Sequence, residues 1–585
     1  MRRTRRRADH EQRATLGLDD AQETGLPARY AGLLPERARR VVGVLADART
    51  GTEILPYLTH RPADTVIVIS PEVAPEWELD ERDVQHRAAA NILEVNWQLR
   101  FVGPVDVMID LAHASAADHD ATWRKLFFHL RPNGLYLLRR GAVSDGTVPG
   151  SFLAVAPWVG APAKAQSGRS ASDRELALAT STVTVGADHV AAVKRNKHVL
   201  KVREADAGRI LPSREPALGL EVLRSMPAGT LDVRANVVSH EASVQITGLP
   251  EAMEYPVLHL RRYTGRIAMA SNALLHHRFS ALPDSFRHHR ANLSNPRLVD
   301  ANGDFARVPA NLRPTKELTG TYYHLDSENS GHYGHLMTEV ISRAWGWPAA
   351  KEAIPDLKAL FRIRFANERR PELELRVFEA LGISREDVVW VDEPVWLEDV
   401  VAATPMWHNQ FPYYVHPDLA GTWSRLRENL RRPLSTPPSR KIFVSRRDDT
   451  GNRSCRNTRE VEAFFADHGF DVLYPELFDL GEQAAIFADA EVVAGFGGSA
   501  VFNILFSTKL RTLILLNHEA YTARNEHLYT ALLGGDVHYF WSSPDVSHPE
   551  GGWSEEAYYS GWEFDFARNR AGLETVLATV AEGSS

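Results

Sequence analysis

The chain has 585 residues, a net charge of −8, 44% hydrophobic residues and 24% charged ones. Its length allows three or four domains of about 150 residues, and its composition is that of a globular chain able to bury large cores. The acidic balance excludes a general nucleic-acid binder, which needs a basic face. A lone Cys455 excludes an intrachain disulfide framework and fits a reducing compartment.

Residues 1–35 read as a disordered tail. The basic start, Met1-Arg2-Arg3-Thr4-Arg5-Arg6-Arg7, has no apolar segment after it, so it is not read as a secretory signal. An electrostatic hold on an anionic membrane is the alternative. No apolar run reaches the roughly 20 residues needed to cross a bilayer.

Residues 36–145 alternate apolar runs at Val41–Leu45, Thr65–Ser70, Val105–Asp110 and Leu135–Leu138 with helical patterns, the signature of a Rossmann-like sheet. Asp110-Leu111-Ala112-His113 closes one strand, and Trp123–Tyr136 contains Leu130-Arg131-Pro132-Asn133-Gly134. This late half resembles the end of a class I, S-adenosylmethionine-dependent methyltransferase domain. Its first strand, however, runs on through Ala46-Asp47 with no glycine-rich cofactor loop, and Glu72 is the only candidate for a ribose. A degenerate, non-catalytic domain is the expectation, with S-adenosylmethionine not a cofactor.

Residues 146–250 divide into a linker rich in Gly, Ala, Ser and Pro up to about residue 170 and a small β-rich module including Val183–Val185 and Val233–Val238. From residue 251 a further unit starts, with strands at Pro256–Leu260, Ile267–Ala270, Leu357–Phe361, Val388–Val391 and Val400–Ala402. Between them, His276–Arg290 is rich in His and Arg and reads as a solvated loop. Tyr322–His335 reads as a loop running into a helix. Pro433–Pro438 marks a crossing to the last unit.

Residues 440–517 contain four short apolar runs, each followed by a helical pattern, which implies βαβ units and a parallel sheet. Asn457 and Asp479, each with Glu three residues on, read as capping boxes. Glu491–Gly495 is a buried strand, Phe496-Gly497-Gly498-Ser499 a sharp turn, and Ala500–Ser507 a helix. A glycine turn at a helix start admits close approach and offers free N–H groups to a diphosphate. It is neither a dinucleotide fingerprint nor a P-loop. The tail, Trp562–Val580, reads as a returning helix.

The blocks Ser445-Arg446-Arg447, Asn457–Glu460, Leu480-Gly481-Glu482-Gln483, Ala490–Gly495 and Asn503-Ile504-Leu505-Phe506 resemble the C-terminal half of glycosyltransferase family 61, with the likeness extending upstream to Asn329–Trp345. The resemblance covers about residues 250–580. It implies a GT-B pair of Rossmann-like lobes, residues 251–432 on the acceptor side and 433–585 on the nucleotide-sugar side, acting without a bound metal. It also implies a nucleotide-sugar donor, a glycan acceptor, and a role in surface or capsular polysaccharide synthesis at the cytoplasmic face of the membrane, with at most peripheral contact. Gly497 stands where the family often has histidine, and His332 where it has asparagine.

Inverting transfer needs a base, a held donor and a stabilised leaving diphosphate. His332, His335, Glu339 and Arg343 recur at helical spacing on one face, with Leu336, Val340 and Ala344 on another. His335 maps onto the family histidine and is the expected base, with Glu339 orienting it or acting as the base itself. His332 and Arg343 are expected on the acceptor side. For the donor, Ser445, Arg446 and Arg447 follow a strand, where α/β sheets bind ligands, and guanidinium forks match phosphate oxygens. Gly497, Gly498 and Ser499 form the turn. Glu482 is a candidate for ribose or sugar, or closes the capping box. Asn503 is a donor-side candidate or a brace for the turn. Two His and a carboxylate also suit zinc, but the order is not H-E-x-x-H and no metal is expected. The alternatives are a non-catalytic glycan-binding protein that keeps the fold, or a sugar methyltransferase acting through residues 36–145.

Overall fold

The computed structural model describes residues 33, 35–37, 40–55, 65–77, 84–161, 168–242, 250–362, 371–446 and 452–582. The expected tail falls almost wholly outside them. The chain forms two compact units, one of residues 1–220, 264–317 and 394–396, the other of residues 221–263, 318–393 and 397–585.

The first unit is built on a seven-stranded sheet. Its strands are β1 (Val41–Leu45), β2 (Thr65–Ser70), β3 (Val84–Ala88), β4 (Val105–Asp110), β5 (Leu130–Arg139), β6 (Thr180–Val185) and β7 (His189–Lys194), in the order β3-β2-β1-β4-β5-β7-β6. The first five are parallel, and β6–β7 is an antiparallel hairpin on β5. The strand order reverses between β1 and β4, the switch point where such sheets bind ligands. Asn91 and Ser115 cap the crossover helices α1 (Ile92–Val102) and α2 (Ala116–Leu126) by accepting backbone N–H groups.

Two expectations are corrected in this unit. Part of the supposed linker is packed structure: Gly150–Val155 is a helix, and Phe152 stacks on Trp123 with ring centroids 3.8 Å apart. The His- and Arg-rich stretch is not solvated. Leu275–His277 and Ser280–Ala281 are short paired strands, and His276, His277 and His289 are buried. Burial pushes His276 down to about 3, so it is carried neutral. The run pairs with the neighbouring strand Leu258–Met269 and, through Ser280–Ala281, with the distant Val199–Lys201.

The second unit holds a six-stranded parallel sheet. Its strands are β8 (Ala235–His240), β12 (Lys441–Val444), β13 (Asp471–Leu473), β14 (Val492–Phe496), β15 (Thr512–His518) and β16 (Gly535–Ser542), in the order β8-β16-β15-β14-β12-β13. β8 comes from the stretch read as a separate β module, yet pairs with β16 across about the whole chain half. A second parallel run, β9 (Lys316–His324), β10 (Lys358–Arg362) and β11 (Val388–Val391), carries the His335 segment after its first strand.

The helices of this unit include α3 (Leu419–Leu430), α4 (Thr458–Asp467), α5 (Leu480–Asp489), α6 (Asn525–Leu533) and α7 (Phe566–Glu582). One apolar core takes in Val340 and Ile341, Leu426 of α3, Ile442, Val493 and Leu513 of the sheet, and Tyr529 of α6. Asp479 and Glu482 close the expected capping box on α5. Asn457 does not cap α4: its side-chain oxygen accepts instead from Phe564 N and Cys455 Sγ.

Candidate functional site

The carboxyl ends of β12, β14 and β15 meet at the glycine turn. A side chain at Gly497 would collide with the Asn517 side chain, and one at Gly498 with Arg446. Gly498 has φ +139°, a region that favours glycine. The turn leads into a six-residue 3-10 helix, Val501–Phe506, not the expected α-helix. Gly497 N donates to Leu516 O at 3.3 Å, and Gly498 N to Glu526 Oε1 at 2.8 Å. Both glycine N–H groups are therefore engaged inside the fold.

The positive charge comes from side chains. Arg446 Nη2 donates to Gly497 O at 2.6 Å. The Arg453 guanidinium lies over the Tyr521 ring, 4.2 Å from its centroid, and one of its terminal nitrogens, Nη1, is buried without a hydrogen-bond partner. Among the described residues, neither guanidinium has a carboxylate at ion-pair distance. Burial, then the Arg453 charge, bring Arg446 down to about 10, so it stays a cation at neutral pH. At the end of β15, burial and then Arg453 push His518 to about 4; this neutral ring has both nitrogens unpartnered, as has Asn517 Nδ2 next to it. Glu526 is fully buried on α6, where burial raises its pKa, and its Oε2 is likewise unpartnered. Buried polar groups are normally satisfied, so this concentration of open valences is where a polar ligand fits.

Other expected donor residues face elsewhere. The buried Ser445 hydroxyl donates to Glu462, which also accepts from Tyr474. Glu482 Oε2 accepts Asp479 N at 2.8 Å, the capping alternative. Arg456, a further cation of the loop that holds Arg453, pairs with Asp545 at 2.6 Å. Arg447 lies outside the described residues.

The His335 segment is not one regular helix. Tyr333–His335 is a single α-turn, Leu336–Val340 a π-helical turn, and Ile341–Gly346 a 3-10 stretch. Such π-turns cluster at functional sites. Thr338 Oγ1 donates back to Gly334 O at 2.8 Å, a bond that competes with regular helix pairing. Leu336, Val340 and Ala344 are buried as the spacing predicts. His335 Nδ1 and Glu339 Oε1 are 2.8 Å apart, with the His335 side chain 27% exposed and that of Glu339 7%. An ionised carboxylate only accepts, so Nδ1 carries the proton and Nε2 is left basic. His332 is exposed, and its ring meets that of His335 edge-on at 5.9 Å. Arg343 leaves the stripe: the change of helix type turns it into the core beside His324, whose pKa burial and then Arg343 push to about 3.

This segment is fixed directly onto the glycine turn. Tyr333 OH donates to Asn503 Oδ1 at 2.5 Å, and Asn503 Nδ2 donates to Gln483 Oε1 and Ala500 O. A Cβ on Gly334 would lie 3.0 Å from that of Ser499. Tyr529 OH donates to Met337 O at 2.7 Å. Asn503 is thus a brace with every polar atom engaged. Sequence reading did not single out Tyr333, Asn517, His518 or Glu526. Polar Asn517-His518 directly after the apolar β15 was an available signal, whereas Glu526 carries none.

At the switch point of the first unit, the described polar residues are paired with one another. Asp47 accepts from Arg49 N and Thr50 N to cap a 3-10 turn. It also accepts from His113 N at 3.0 Å and lies 3.3 Å from its Nδ1. Asp110 Oδ2 accepts from Tyr136 OH and bonds His119 Nδ1, both at 2.9 Å. Glu72 is exposed.

The glycosyltransferase 61 family model matches residues 333–514, the span that holds His335, Arg446, Arg453 and the glycine turn. The resemblance is shown over that segment and supports glycosyltransferase activity. No curated protein matches the chain. Similar solved structures include the MycE methyltransferase of the mycinamycin biosynthetic pathway with Mg and SAH, at 16% identity over 27% of this chain and 46% of that one, TM-score 0.23. A Corynebacterium glutamicum protein has 17% identity over 33% and 89%, TM-score 0.20. The antibiotic-resistance methyltransferase Kmr has 13% over 30% and 98%, TM-score 0.18. The chain spans under half the length of the MycE structure it matches. Among the described residues no helix is long and apolar enough to cross a membrane, and no group of three or more His, Cys, Asp or Glu is placed to hold a metal ion.

Proposed function

We propose that the protein is an inverting, metal-independent glycosyltransferase of GT-B type that moves a sugar from a nucleotide-sugar donor to a glycan acceptor, in surface or capsular polysaccharide synthesis at the cytoplasmic face. The observation that carries this reading is the His335–Glu339 pair fixed beside a glycine turn flanked by two guanidiniums that have no carboxylate at ion-pair distance among the described residues. In this reading His335 Nε2 takes the acceptor hydroxyl proton as that oxygen attacks the anomeric carbon. The bond to the diphosphate breaks with its electron pair on the departing oxygen, and Arg446 and Arg453 stabilise the charge that builds there. Glu339 orients the imidazole. The family match over residues 333–514 supports the reaction class. Neither S-adenosylmethionine nor a metal takes part.

The test is transfer from radiolabelled UDP-, GDP-, CDP- and ADP-sugars to a glycan panel, run with EDTA and with manganese. Turnover that survives EDTA is expected. Activity that collapses on chelation and returns with manganese contradicts the metal-independent reading, and absence of both transfer and donor binding contradicts the enzyme.

A further inference from the structure

An aromatic path leads from the buried Arg453 guanidinium to the surface of the second unit. Arg453 lies 4.2 Å from the Tyr521 ring centroid and 5.9 Å from that of Tyr558, and the two rings are 5.3 Å apart. Tyr558 then meets Trp553 at 5.9 Å, and His548 lies 6.3 Å from the same indole. His548 is held in place by Ala520 O and Ser554 N. Trp553, by contrast, is 60% exposed. Tryptophan is usually largely buried, and one indole left open at the end of a supported row of rings is built to receive a flat partner.

We propose that Trp553 is the stacking platform for the nucleobase of the donor. This rests on the reading above, in which the guanidiniums take the donor phosphates. Two steps, Arg453 to Tyr558 and Tyr558 to Trp553, separate the phosphate-binding group from the indole. In a nucleoside diphosphate one ribose separates the phosphates from the base, so a ligand anchored at Arg453 has its base free to reach toward the open ring. The platform offers a π face and no fixed hydrogen-bond pattern, and stacking of this kind tolerates any base. Trp553 therefore adds affinity for nucleotides as a class, and selection among bases rests on other groups.

The experiment compares binding of nucleoside diphosphates and of inorganic pyrophosphate to the full-length wild type and to Trp553→Ala by calorimetry. Trp553 is exposed, so the variant keeps its fold, which a thermal melt verifies. The expected result is about tenfold weaker binding of every nucleoside diphosphate, unchanged binding of pyrophosphate, and loss of the part of the tryptophan fluorescence quenching that nucleotides cause. Nucleotide affinity that survives the substitution overturns the platform and leaves the donor reading standing. A variant that binds nucleotides normally but needs a higher acceptor concentration assigns Trp553 to the acceptor sugar and also overturns it. If neither pyrophosphate nor any nucleoside diphosphate binds the wild type, both the donor reading and the platform fall.

Discussion

The carboxyl ends of the two parallel sheets end in opposite ways. In the first unit, the residues at the β1–β4 switch point are matched to one another: Asp47 to His113 and a helical cap, Asp110 to His119 and Tyr136. In the second, among the described residues, Arg446 and Arg453 beside the strand ends have no carboxylate at ion-pair distance, and buried atoms of Asn517, His518 and Glu526 have no hydrogen bonds. Acid and base groups that satisfy each other hold a fold together. Charges kept dry and unmatched are costly, and they persist where a ligand of opposite charge completes them. The same architecture is thus closed at one place and open at another, and side-chain pairing, not fold, separates the two.

The largest expected break in this comparison comes from His335→Ala. Transfer should fall by about 10²–10⁴-fold with diphosphate binding intact, because in the proposed reading the phosphates are held by Arg446 and Arg453 and not by His335. Glu339→Gln should lower kcat less if it only orients the imidazole. Full turnover in the His335 variant would remove it from the site. Next, Asp110→Ala should cost the first unit about 3 kcal/mol, since His119 and Tyr136 are left buried without their acceptor. Chemical denaturation should register that loss with no change in diphosphate affinity. Arg446→Ala should do the reverse, weakening diphosphate binding by about 1.5–3 kcal/mol with a small shift in Tm. Titration calorimetry showing unchanged affinity would mean Arg446 serves the fold.

A further effect is in pH. Burial pushes His198 in the first unit and His518 in the second to about 4, from an ordinary value near 6.5. A folded-state pKa lowered in this way gives stability that is complete above the unfolded value and is lost as pH falls through the folded one. Both units should therefore weaken between pH 6.5 and 4. A saturating nucleoside diphosphate beside Arg453 should favour the protonated His518 and delay the acid transition of the second unit alone, a difference that circular dichroism and tryptophan fluorescence can follow.

Much of this was legible in local pattern. Apolar runs with glycine and polar borders located β12, β14 and β15, and the four-residue spacing of His335 and Glu339 foretold their contact. Long-range packing was not legible. Gly334, just before the π-turn, packs on Ser499 far along the chain, and β8 joins a sheet whose other strands begin two hundred residues later. Glu526 sits on an ordinary helix and matters only because Gly498 points its N–H there. Glu482 shows the converse: a residue with a family role in prospect is engaged by its own helix cap.

The seam between Tyr333-Gly334 and Ser499–Asn503 has a consequence for recombination. A chimera joined in the Pro433–Pro438 segment, the natural place to exchange a nucleotide half, would bring together a Gly334 and a Ser499 that were never fitted to each other, and a Tyr333 whose hydroxyl needs an asparagine at 503. Exchange of donor preference between relatives should therefore succeed when residues 333–340 travel with residues 433–585, and should give a folded but idle protein when they do not.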